Sequence, residues 1–241
     1  MRYYMEDSTF WYLYKSEASG IVYPLEFGIK KLKVSDLCYE PDVVWSWCEK
    51  GCKNFNNAGG CPPASPLLKT LYSDSDTVWL IYCLFWSKYK HEKVAKSNNS
   101  AIHWKFQDAI LARLLVNVGY ALRTKFEGNF LSTGYCMGCP GKKCNYKLGH
   151  KFCRNPQKRT YSMEATGINV VETLKKTTGI EMFWYKKGQT DIPYMLKCIA
   201  YFPSINSNLT KDKLVGILNS MKSCHYEIGS SEYLHFLDSL K

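Results

Sequence analysis

Seven of the eleven cysteines in this 241-residue chain fall into two short segments. The first cysteine group has the spacing C-x3-C-x8-C and consists of Cys48, Cys52 and Cys61. The second cysteine group has the spacing C-x2-C-x4-C-x8-C and consists of Cys136, Cys139, Cys144 and Cys153. Thiolates are soft ligands suited to zinc and to iron–sulfur clusters. Four thiolates form a complete coordination set, whereas three leave one metal position open for a substrate.

The residues around the cysteines favour iron over zinc. Proline follows Cys61 and Cys139, where its ring restricts the backbone and removes an N–H donor. Glycines at Gly59-Gly60 and at Gly138 allow the backbone to approach a metal closely and to direct amides at sulfur. Such hydrogen bonds tune iron–sulfur potentials. We therefore predict one or two [4Fe–4S] clusters.

Zinc remains the alternative metal. C-x2-C is a common zinc half-site, but a zinc ribbon usually contains a second one, and the further spacings here are four and eight residues. The histidines show no paired ligand spacing, although His150 lies within the second cysteine group. The first cysteine group also differs from the C-x3-C-x2-C triad of radical-SAM enzymes.

Composition and termini predict a globular, cytoplasmic protein. The chain is 46% hydrophobic and 22% charged, and its N-terminus lacks the charged-then-apolar order of a signal peptide. The longest apolar run, Val78 to Trp86, is too short to span a bilayer, so no membrane contact is expected. In a reducing cytosol, clustered cysteines serve as metal ligands more often than as disulfides. Cys83 and Cys198 lie in apolar runs and are predicted core residues.

The net charge limits the classes of partner. At +11 the chain is basic, which favours an acidic redox partner, while nucleic acid remains an alternative. The lysines are scattered in pairs rather than gathered into a stripe, which is typical of a solvated surface. The sequence contains no glycine-rich dinucleotide fingerprint, no phosphate-binding P-loop and no nucleophile-elbow serine.

Hydrophobic patterns predict a sheet with helices. Strands are expected within residues 9–34 and at Val78–Trp86, and a short helix from Ser65-Pro66 to Leu71. Apolar residues recurring every four positions predict a long helix over residues 100–124, with Ser100 as its N-cap. Asn169 and Gly179 are the expected caps of a further helix.

The remaining patterns complete the predicted fold. Strands are expected at Phe183–Tyr185 and Tyr194–Phe202, followed by helices at Leu209–Met221 and Ser231–Leu240. The fold class is therefore α/β or α+β: a mixed β-sheet covered by helices, with two cysteine-rich metal-binding loops on one edge. The predicted division is an α/β metal-binding domain over residues 1–203, with cysteine loops at 48–61 and 136–153, and a helical C-terminal extension over 204–241.

Four segments resemble a known family. They are the first cysteine group with Pro62-Pro63, the Cys136–Cys144 loop, Cys153-Arg-Asn-Pro156, and Tyr161-Ser-Met-Glu-Ala-x-Gly-Ile-Asn-Val170. In these segments the chain resembles an uncharacterised prokaryotic family of predicted metal-binding proteins, catalogued as domain of unknown function 2284, over roughly residues 40–202. Asn155 stands where that family frequently has His, and Tyr161 where it frequently has Pro. The resemblance implies metal binding and specifies no reaction.

Two functional hypotheses follow. In the first, the second cysteine group holds an electron-transferring cluster, and the first group holds a cluster whose open iron binds a substrate or small ligand, as in a redox or sulfur-chemistry enzyme. In the alternative, a structural zinc or single-cluster module binds a protein or nucleic-acid partner. Ser162 is expected to cap a turn. Glu164 either braces the cysteine loop by pairing with Arg154 or Arg159, or donates a proton beside the metal.

Overall fold

The computed structural model describes residues 9–204, 207 and 209–240. Five strands form one sheet in the order β1-β2-β3-β5-β4. Their bounds are β1 Phe10–Lys15, β2 Val22–Lys33, β3 Thr77–Trp86, β4 Asn129–Leu131 and β5 Tyr194–Phe202. The prediction of a sheet covered by helices is confirmed, with the refinement that all four strand pairings are antiparallel. Parallel pairing is limited, in the described chain, to an isolated bridge between Ser132 and Ser162.

Seven α-helices surround this sheet in the part of the chain described. Their bounds are α1 Pro41–Gly51, α2 Leu68–Leu71, α3 Glu92–Ala95, α4 Ser100–Phe126, α5 Val170–Thr178, α6 Lys211–Asn219 and α7 Ser231–Asp238. The long helix, α4, begins at Ser100 as predicted and extends to Phe126. Its N-cap is Asn99 rather than Ser100, and the Asn99 side chain accepts a hydrogen bond from Ala101 N–H. The predicted caps of α5, Asn169 and Gly179, are confirmed.

Three further differences concern single elements. Helix α1 was not predicted because it lacks an apolar periodicity and buries only Val44, and strand β4 was not predicted because it has only three residues. The predicted strand at Phe183–Tyr185 is wrong, since these residues form an irregular segment without a strand partner. No helix among residues 9–204 or 209–240 combines the length and apolarity needed to cross a membrane.

The core lies on both faces of the sheet, because side chains alternate between the faces along each strand. On one face, Phe27, Ile81 and Ile199 pack against α4. On the other face, Leu80, Cys198 and their neighbours pack against the segment that contains Met163 and α5. Cys83 and Cys198 are buried, as predicted, so they contribute to packing.

The C-terminal helices pack against the same core. Leu214, Ile217 and Leu218 of α6 are buried in the cluster that also contains residues of β1 and α4. The backbone after α6 pairs with β1, since Lys15 N–H donates to Ser223 O at 2.7 Å and His225 N–H donates to Leu13 O at 2.9 Å. The division of the chain at residue 203 stays a prediction.

Candidate metal centre

The first cysteine group begins on a helix rather than in a loop. Cys48 lies in the last turn of α1, and Cys52 is the C-cap, whose N–H donates to Cys48 O at 2.9 Å. Pro41, at the first turn of the helix, is the sequence signal that could have predicted α1. Cys61 follows in a turn and is 7% exposed. The group therefore extends from a rigid helix end into a buried turn.

Two side chains attach the first cysteine group to the segment after Ser162. The indole Nε1 of Trp45 donates to Ala165 O at 3.1 Å, and the hydroxyl of Ser65 donates to the same oxygen at 2.7 Å. The Ser162 hydroxyl accepts a hydrogen bond from Ala165 N–H at 3.1 Å, which confirms the predicted turn cap. These contacts place Glu164 beside the first cysteine group.

The second cysteine group lies in irregular chain between β4 and Thr160. Helix α4 supports this segment, because Tyr120 Oη donates to Lys158 O and Arg123 donates to Gln157 O. The sulfur of Cys136 accepts two backbone hydrogen bonds, from Gly138 N–H and Thr160 N–H, each at 3.4 Å. Such amide contacts are those that iron–sulfur ligands receive.

The two cysteine groups are in direct contact through Gly60 and Cys136. A Cβ placed on Gly60 would lie 2.7 Å from Cys136 Cβ and 2.4 Å from Thr160 O, so only glycine fits there. The approach is also close at Gly59, where a Cβ would lie 2.7 Å from the ring of Tyr146 and would force that ring to move. The two segments therefore pack closely enough that their backbones nearly touch.

Polar contacts join the same two segments. The guanidinium of Arg159 donates to Gly59 O and to Ala64 O, the latter at 2.7 Å, and Lys147 Nζ donates to Asn54 Oδ1 at 2.9 Å. Arg154 donates to Asn145 Oδ1 from two nitrogens, at 3.0 and 2.7 Å. Both predicted ion pairs of Glu164 are therefore wrong, because Arg154 and Arg159 bind carbonyl oxygens instead.

The thiols of the first cysteine group lie in a negatively charged environment. Burial, together with the nearby Cys52, Cys48, Cys136 and Glu164, raises the pKa of Cys61 to about 12. Burial, together with Cys52 and Glu164, raises the pKa of Cys48 to about 11. A bound cation would lower these pKa values instead, because it stabilises the thiolate form.

The second cysteine group contains one thiol whose pKa is raised, Cys139, and one whose pKa is lowered, Cys144. Burial raises the pKa of Cys139, and so do Cys153, Cys136 and Cys144 nearby. For Cys144, burial is outweighed by backbone N–H groups of Gly59, Tyr146 and Lys147, so its pKa is lowered. Gly59 lies between Cys52 and Cys61, so the first cysteine group contributes to the surroundings of Cys144, just as Cys136 contributes to those of Cys61.

Glu164 has an unsatisfied carboxylate oxygen. Its Oε2 is buried and has no hydrogen-bond partner among the residues that the structure describes. Buried polar atoms without a partner are rare and often face a ligand or an ion. Sequence reasoning identified Glu164 but not this environment, because the burial depends on contacts between distant segments.

The two cysteine groups are neighbours, but their thiols do not converge on a common point. Within the described ranges 9–204 and 209–240, no three His, Cys, Asp or Glu side chains are placed to hold a metal ion. His150 is exposed, and its ring is tilted against that of Phe152 with 5.4 Å between the ring centroids. The donor chemistry, the amides at Cys136 and the glycine contact nevertheless fit a thiolate-bound metal.

A family model matches residues 30–199 and is described as "Predicted metal-binding protein (DUF2284)". The matched range contains both cysteine groups, Ser162 and Glu164. No curated protein and no solved structure matches the chain. Because the match covers more than half of the sequence, the chain belongs to this family of predicted metal-binding proteins.

Proposed function

We propose that this chain is an iron–sulfur protein that holds two [4Fe–4S] clusters on its seven grouped cysteines. The observation that supports the proposal is the contact between Gly60 and Cys136, which makes the two cysteine groups neighbours in one folded unit. Two unrelated cysteine loops would have no reason to require glycine at this contact. A shared metal-binding unit explains the close approach.

The ligand assignment follows the two groups. Cys136, Cys139, Cys144 and Cys153 would bind one cluster completely. Cys48, Cys52 and Cys61 would bind the other and leave one iron without a protein thiolate. When bound, the complete cluster would supply electrons, and the open iron would supply a Lewis-acid or redox position for a substrate or small ligand.

Metal binding is expected to bring the thiols together. Metal affinity and folding are coupled, because ligands must be deprotonated and ordered as the site forms. The surrounding residues already hold the two segments in place, through Arg159 and through the amides at Cys136. Coordination would require the thiols of each group to move together within this frame.

A structural metal module is the second candidate. It is favoured by the interlocking contacts of Arg159 with Gly59 and Ala64, which a structural zinc or single cluster would reinforce. Such a module would bind a protein or nucleic-acid partner through its basic surface. We place the protein in the cytoplasm in either case, with an acidic redox partner under the first proposal.

Metal and sulfide analysis distinguishes the two candidates. Protein purified without oxygen should be brown and contain about eight irons and eight acid-labile sulfides per chain, as two cubane clusters require. Addition of cyanide or a thiol should alter the electron paramagnetic resonance spectrum of the reduced protein, because one iron is open. Stoichiometric zinc without sulfide would reject the iron–sulfur proposal and support the structural module.

A further inference from the structure

A small cavity of about 120 Å³ lies beside Glu164, where the sheet edge is uncovered. Strand β4 pairs with β5 only at Ala200–Phe202, so residues 194–199 have no strand neighbour on that side in the described chain. The cavity is bounded by this edge, by α4, and by the irregular segment around Trp184. The same segment was predicted to be a strand, and its irregular path is what leaves the cavity open.

The walls of the cavity combine aromatic surface with charge. Trp104 of α4 and Trp184 face it and are 44% and 53% exposed, which is unusual for tryptophan in a protein surface. Lys197 also lines it, but its ammonium pairs with Asp108 at 2.8 Å, so these two charges neutralise each other. The remaining charged group of the wall is the carboxylate of Glu164.

These features select one class of ligand. A carboxylate in a cavity wall attracts a positively charged ligand, and a charged N–H donor forms the stronger kind of hydrogen bond with it. Exposed tryptophan faces attract cations through their π electrons. A cavity of about 150 Å³ accommodates benzene, so one of about 120 Å³ accommodates a molecule with only a few heavy atoms. An anion would instead meet the negative charge of Glu164.

We infer that this cavity binds a small organic cation, a short or methylated alkylammonium, whose N–H group donates to Glu164 while its methyl groups contact Trp104 and Trp184. The site goes beyond the proposed function and does not depend on it. Glu164 also lies near the first cysteine group, because Trp45 and Ser65 both donate to the carbonyl oxygen of the adjacent Ala165.

The test measures binding of trimethylammonium to the full-length protein by isothermal titration calorimetry, with tryptophan fluorescence as a second signal. Acetate and tert-butanol, an anion and a neutral molecule of similar size, are the comparison ligands. Glu164→Gln keeps the shape of the side chain and removes its charge. Trp184→Ala removes an exposed wall, and Leu234→Ala, an equally exposed residue on α7, is the matched control.

Trimethylammonium should bind with at least about tenfold higher affinity than either comparison ligand. Glu164→Gln and Trp184→Ala should each weaken binding about tenfold or more, and Leu234→Ala should not change it. Equal affinity for the cation and tert-butanol, or unchanged binding in Glu164→Gln, would overturn the inference. Circular dichroism of each variant separates lost binding from lost folding.

Metal content is measured in the same samples. Cation binding by protein that contains no iron would reject the proposed function and leave the cavity inference intact. Iron-loaded protein that fails to bind the cation would reject the cavity inference and leave the proposed function intact. The two proposals can therefore fail separately.

Discussion

At the scale of single residues, the sequence predicted the ligand types but not their neighbours. The spacing of the cysteines was enough to define two groups, because ligand spacing is a local property. The contact of Gly60 with Cys136 joins residues 76 positions apart in numbering and has no local signal. The partners of Arg154 and Arg159 were likewise mispredicted, because the sequence does not show which oxygen atoms the folded loops bring near these side chains.

Gly60 offers a test that leaves every thiol unchanged. Gly60→Ala should lower the iron content of both cysteine groups, because the added Cβ would lie 2.4 Å from Thr160 O and force the two segments apart. Gly51→Ala is the matched control, since it lies beside Cys52 with no atom within 4 Å and is helical. Equal iron in both variants would show that the contact has no role in metal binding.

Cysteine substitutions test the assignment of ligands against core residues. Cys144→Ala should reduce iron and sulfide by about half and lower the melting temperature, because a closed metal site contributes to folding. Cys83→Ala should keep full iron content and cost only about 1 kcal/mol of stability, since it removes one buried atom. Iron lost from Cys83→Ala but kept in Cys144→Ala would contradict the assignment.

At the scale of elements, segments with a strong apolar pattern or clear caps were predictable, and segments without them were not. Strand β3 and helix α4 were identified because a continuous apolar run and a repeated four-residue spacing are strong signals. Helix α1 was missed because it buries only Val44 and is held by tertiary contacts, such as Trp45 with Ala165, and strand β4 was missed because it has only three residues. The aromatic run at Phe183–Tyr185 suggested a strand, but strand propensity depends on packing, and these residues border the cavity instead.

Arg159 tests the connection between the two cysteine segments. Arg159→Lys should lower the midpoint of chelator-induced unfolding and speed iron loss, because lysine cannot reproduce the forked contacts with Gly59 and Ala64. The expected cost is about 1–3 kcal/mol, the usual value for charge-assisted hydrogen bonds. Arg113→Lys, at an exposed position of α4, is the control. Identical iron-loss rates for both variants would refute this role.

At the scale of the whole molecule, the sheet, helices and overall class were predictable from composition and periodicity. The arrangement of the C-terminal helices was not, because their packing against β1 depends on the position of the first strand. Their buried residues, Leu214, Ile217 and Leu218, share a cluster with the sheet. The predicted separate extension can therefore be tested directly by removing it.

A chain truncated after residue 203 should be insoluble or unfolded. Three buried aliphatic side chains contribute together on the order of 5 kcal/mol, which is comparable to the whole stability of a domain. Removal of α7 alone, which buries chiefly Tyr233, should be tolerated better. A truncated chain that folds and melts like the full-length protein would instead support an independent domain over residues 1–203.

The central claim, that the two cysteine groups bind iron as neighbouring sites, is tested most directly by anomalous X-ray diffraction at the iron edge from crystals grown without oxygen. The proposal predicts two iron-rich peaks, one surrounded by Cys136, Cys139, Cys144 and Cys153, and the other by Cys48, Cys52 and Cys61 with one iron lacking a thiolate. A signal at the zinc edge alone, or iron bound away from these cysteines, would contradict it.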